Sequence, residues 1–89
     1  MPYITQEQRS RLNRPGEHPE NTGELNYTIA QIVDGYLEHQ GQSYQVWSDI
    51  AGTLQLLLLE LQRRFIGSYE YRKCMENGDA FAVDRWWNR

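Results

Sequence analysis

The residues best suited to chemistry in this chain are Glu60, Arg63, Arg64 and Tyr69, with Asn77 and Asp79 just beyond and Tyr27 far upstream. Arginine binds carboxylate or phosphate bidentately, and tyrosine offers a flat face with a polar tip. That combination suits a nucleotide-like ligand or a protein partner. A purely structural reading competes with it: Glu60 pairs with Arg64 at i,i+4 and the tyrosines line a helix interface. Trp86 and Trp87 form a second candidate binding group, because tryptophan is enriched in binding hot spots. They also suit packing over an apolar helix face.

Other chemistries lack their parts. His18 and His39 are the two histidines, and neither has a His or Cys at metal-ligand spacing, so no metal site is expected. Cys74 sits beside Arg72 and Lys73 with no histidine placed to activate it. Ser43, Ser48 and Ser68 have no hydrolase context, and no phosphate-binding glycine loop occurs. No enzyme and no cofactor is expected.

Composition narrows the classes further. The chain has 89 residues and a formal net charge of -3, with a pI near 5.3. This is the length of one domain, and a chain so short is marginal as a monomer. The acidic balance opposes a sequence-independent grip on nucleic acid. The single cysteine excludes an internal disulfide. The first residues lack the apolar core of a signal peptide, and the run Leu56 to Leu59 is far too short to cross a bilayer. The expectation is a cytoplasmic protein with no membrane contact.

An all-α fold would position these residues. Thr5 to Leu12 predicts a short helix capped by Thr5, held by few apolar groups and frayed unless something docks on it. Asn13 to Gly23, with two prolines, two glycines and no apolar residue, predicts a loop. Leu25, Ile29, Ile32, Val33, Tyr36 and Leu37 fall on one stripe and predict a helix from Glu24 to Gln40, with Thr22 as its cap and Gly41 as its terminator. Tyr27 projects off that stripe.

Ser43 caps a much longer helix reaching Asn77, with a kink or weakened turn expected at Gly67 and Ser68. A link as short as Gly41 and Gln42 makes the two helices an antiparallel hairpin. Gly23 and Leu61 then stand at about the same height, which would gather the candidate residues. On a helical wheel Ile50, Leu54, Leu57, Leu58, Leu61 and Phe65 cluster toward the first helix, whereas Leu56 and Leu59 point nearly opposite. A helix apolar on two sides needs two partners. A homo-oligomer, with a dimer favoured, is therefore expected on Leu56 and Leu59. In this scheme residues 1–23 form an N-terminal segment and linker, 24–77 the hairpin and 78–89 an aromatic tail of one small helical domain.

GELNYTIA at Gly23 to Ala30, Glu60 with Arg63 and Arg64, the Tyr69-Glu70 pair and ENGD at Glu76 to Asp79 occur in a recognisable order. This arrangement resembles a family of small uncharacterised proteins of tailed phages and prophages, over roughly residues 1–81. The chain departs from that pattern at Ser68, where proline is usual, in its short linker and in its leucine run. The family carries no established activity, so the resemblance implies a phage or prophage setting and no reaction. The leading expectation is a non-catalytic accessory protein that binds a host protein and inhibits a defence system. The alternatives are an oligomeric sponge for a nucleotide signal, acting through Arg63, Arg64 and Tyr69, and a structural virion component.

Overall fold

The computed structural model describes residues 1–82. Trp86 and Trp87, and with them most of the aromatic tail, lie outside the described residues. All regular structure among the described residues is helical: α1 (Gln6–Leu12), α2 (Thr22–Gln40), α3 (Tyr44–Leu61), a π turn (Gln62–Ile66) and α4 (Gly67–Asn77). The chain divides into two compact units, Met1–Ile50 and Ala51–Arg89.

The helix signals in the sequence have local causes. Thr5 closes a capping box with Gln8: its hydroxyl accepts the Gln8 N–H at 3.1 Å, while the Gln8 side chain accepts the Thr5 N–H at 2.9 Å. Ser43 caps α3 by accepting the Val46 N–H at 3.1 Å. The cap of α2 is Asn21 rather than Thr22: Asn21 Oδ1 takes the Glu24 N–H at 2.9 Å, and Thr22 is the first helical residue. Asn and Thr are both good caps. The choice falls to Asn21 because the extended backbone there lets its side chain reach three residues ahead. Gly41 and Gly78 end α2 and α4 at φ of 82° and 90°, a region open to glycine and strained for other residues.

The disturbance expected at Gly67 and Ser68 lies one turn earlier. From Tyr44 to Asn77 the backbone is helical throughout, but Gln62–Ile66 widens into a π turn, and the Gly67 N–H donates to the Gln62 carbonyl five residues back. A Cβ on Gly67 would stand 2.9 Å from that carbonyl oxygen. Only glycine fits this approach without a backbone shift, so the sequence signal for a weak point is really the signal for a π turn.

Burial differs sharply between the units. In the first unit Glu24 and Tyr27 are buried, at 4% and 8% exposure. The α2 stripe is left half-buried to exposed, with Ile32 at 68%. In the second unit no described residue is buried, and every leucine from Leu54 to Leu61 stands at least two-fifths exposed. A helix with that much leucine in water gains nothing from the hydrophobic effect until something covers it.

Candidate functional site

The first unit is built around one carboxylate. Glu24, in the first turn of α2, accepts from Gln8 Nε2 at 2.9 Å, from the Glu20 backbone N–H at 3.1 Å and from the Arg11 guanidinium. Its side chain is 5% exposed against 20% for Arg11. Arg11 also reaches Glu17 and Glu20, each at 3.3 Å, and donates to the His18 carbonyl at 3.2 Å. One guanidinium thus ties the loop between α1 and α2 to the start of α2. A buried charge is tolerated when it is paired and hydrogen-bonded on all sides, which is the case here.

Tyr27, one turn further along α2, carries the second part of this lock. The Arg9 guanidinium lies 5.0 Å from its ring centroid, a cation–π contact, and Arg9 Nε donates to the Ile4 carbonyl at 3.3 Å. Gly23 keeps the N-terminal segment close, since a Cβ there would touch Ile4 Cγ2 and the Met1 carbonyl at 3.4 Å. So α1 is docked, as the sequence required if it was to be stable, and what docks it is polar. The GELNY segment contributes three of its five residues, Gly23, Glu24 and Tyr27, to this lock.

Electrostatics follow from these contacts. The Gln8 hydrogen bond holds the Glu24 carboxyl below its ordinary value; the Glu20 N–H and Arg11 add to this, while burial pushes the other way. The bond to Glu24 likewise raises Arg11, against its own burial, so this guanidinium stays charged.

The sequence candidates lie elsewhere or are already occupied. Tyr27 is covered by α1 and belongs to the first unit. In the second unit Arg63 and Arg64 come together, both on Glu60: Arg63 Nη2 at 3.0 Å and Arg64 Nε at 2.7 Å from the same carboxylate oxygen. All three side chains are at least 49% exposed, so these pairs add little stability. Tyr69 stacks under Lys73, whose Nζ is 5.7 Å from the ring centroid. Asn77 and Asp79 line a shallow, open concavity with Glu70, Lys73, Cys74 and Phe81. Asp79 is engaged there by the Phe81 N–H at 2.9 Å. Leu56 and Leu59 are exposed, at 67% and 58%.

The residues missed in the sequence are Gln8, Arg9 and Arg11. Their partners lie 13 to 18 positions away, beyond any helical period, and Glu24 read locally as a charge suited to the helix dipole. Among the described residues no group of three or more His, Cys, Asp or Glu could hold a metal ion. No helix there is long and apolar enough to cross a membrane.

No curated protein and no solved structure matches the chain. One family does match, over residues 1–80, so both the polar lock and the exposed long helix fall inside its bounds. On that coverage the chain belongs to the family described as Domain of unknown function (DUF6899).

Proposed function

We propose that this protein is a non-catalytic binding protein that acts on a partner protein through the apolar faces of its long helix. One observation carries the reading: across α3, the π turn and α4, large apolar side chains stand exposed on both sides of the helix, including Leu56 and Leu59 opposite Leu57 and Leu61. Exposed apolar patches of this extent mark interaction surfaces. Two ways of covering them fit the sequence, an antiparallel hairpin closed by α2 through the Gly41–Gln42 link and association between copies. The phage or prophage setting, and with it inhibition of a host defence system, rests on the resemblance in GELNY, Glu60-x-x-Arg63-Arg64 and ENGD.

The test is capture from a bacterial host lysate with the intact chain, beside Leu56→Glu/Leu59→Glu and Trp86→Ala/Trp87→Ala variants. The reading expects a stoichiometric protein partner that at least one of these pairs releases while helicity by circular dichroism is unchanged. A partner set identical across all three chains would remove these residues from the site. No stoichiometric partner at all would remove the protein-binding reading.

A nucleotide sponge ranks second. It is favoured by the adjacency of Arg63 and Arg64 and opposed by their shared commitment to Glu60. Native mass spectrometry separates the two readings, because the sponge predicts a reproducible added mass that Arg64→Ala abolishes. Incorporation into purified particles at fixed stoichiometry would instead support a virion component.

A further inference from the structure

We infer that two copies of this chain pair antiparallel along one side of the long helix, with the two-fold axis passing near Gln62, and that the π turn sets the phase of the contact. The inference stands apart from the partner-protein reading, since it concerns only the purified chain.

The geometry starts from the π turn. An α-helix advances about 100° per residue, and a π turn, closing over about 4.4 residues, advances about 82°. Five residues of π therefore turn everything after them back by about 90°. In an unbroken α-helix Tyr69 would point about 90° away from the mean direction of Leu54, Leu57 and Leu61. With the π turn in place it rejoins them, so that Leu54, Leu57, Leu61, Phe65 and Tyr69 form one seam. Ile66, otherwise on the far side, moves to the flank occupied by Leu58. Glu60 and Arg64 take the other flank.

In an antiparallel pair each flank meets its own counterpart in the second copy. Positions adding to the same number stand at the same height, and two independent pairs agree on that number. Leu58 of one copy meets Ile66 of the other, and Glu60 meets Arg64, both about an axis at Gln62. Leu54 falls opposite Tyr69 about nearly the same axis. A parallel pair instead sets each flank against the opposite flank of the second copy, so that Glu60 and Arg64 lie against Leu58 and Ile66 with no charge partner. Such flanking charges contribute little affinity, but they choose orientation.

Magnitude points to this side rather than to Leu56 and Leu59. Seven large side chains line the seam and its apolar flank, and they are 41–67% exposed. At on the order of 100 Å² each they offer roughly 700 Å² per copy, close to the ~800 Å² per partner of a standard interface. The opposite side offers only Leu56 and Leu59 before Gly52 and Arg63 interrupt it, which leaves those two leucines for another partner.

Cys74, the one cysteine of the chain and partly accessible, reads the arrangement directly. With a nitroxide on Cys74 of the otherwise unaltered protein, pulsed electron spectroscopy should give a distance near 35 Å, from about 24 residues of axial offset at 1.5 Å each. Sedimentation should give a dimer mass, and Leu57→Glu/Leu61→Glu should weaken the dimer at least 100-fold with helicity retained. A wild-type monomer would overturn the proposal and assign the seam to α2 of the same chain. A dimer with a label distance under about 20 Å would make the pair parallel. A dimer that survives Leu57→Glu/Leu61→Glu but not Leu56→Glu/Leu59→Glu would place the contact on the opposite side. Should the glutamate variant unfold, the label distance in the unaltered sequence still decides.

Discussion

The lock around Glu24 and the long helix after Ala51 use opposite means. The first places one buried carboxylate among the Gln8 amide, the Arg11 guanidinium and the Glu20 backbone N–H, and stacks Arg9 on Tyr27. The second carries most of the chain's leucine and buries none of it. Polar contacts are directional and satisfied one by one, so a small set can fix a short helix inside a single chain. Apolar contacts need area, and a lone helix cannot supply both sides of it. Polar docking within the chain and exposed apolar area thus fall in different stretches.

Three perturbations break or sharpen that contrast. The largest effect is expected from Tyr27→Ala, which removes the one buried aromatic ring among the described residues and frees Arg9. Large-to-small changes at buried sites cost roughly 2–5 kcal/mol. Because few apolar neighbours are buried with Tyr27 in this small unit, the low end, about 2 kcal/mol, is expected, with hydrogen exchange across Gln6–Leu12 speeding at least tenfold. Unchanged exchange would mean α1 is held without the tyrosine.

Gly67→Ala comes next and strikes the other region. Alanine gains about 1 kcal/mol in helix propensity. Its Cβ, however, would meet the Gln62 carbonyl at 2.9 Å, and overpacking against backbone costs about 1–3 kcal/mol. A net loss of about 1 kcal/mol, with weaker self-association because the seam after Gln62 changes phase, is the expected outcome. A higher Tm with undiminished association would show that the π turn does not set the contact.

The smallest effect is that of acid. The Glu24 carboxyl titrates lower in the folded chain than in the unfolded one. Its contribution to docking is therefore complete above the ordinary glutamate value near 4.3. It is lost as pH falls through the lower folded value. Tyr27 environment, followed by fluorescence or NMR, should change below about pH 4, and the change should vanish in Glu24→Gln. A transition centred near neutrality would point to another group.

Much of the fold could be read along the chain. Caps at Thr5 and Ser43, stops at Gly41 and Gly78 and the apolar periods of α2 and α3 are all local, involving residues within four positions of each other. The candidate site was less legible. Arg63 and Arg64 were recognised as a pair and do share Glu60, again a local contact. Tyr27 was read as a ligand surface because nothing within its own helix covers it; the cover comes from α1, eighteen residues back.

The sequence by itself determined that this protein is helical, where its helical stretches lie to within about two residues at each end, and that leucine is concentrated in the long helix. These follow from backbone capping and from periodicity, which are short-range. Only the tertiary structure decided that Glu24 and Tyr27 lock the N-terminal helix and that the break near Gly67 is a π turn. Contacts between Arg11 and Glu24 cross thirteen residues of chain, and the π turn depends on where one carbonyl lies relative to a missing Cβ. Neither quantity has a period that a sequence can display.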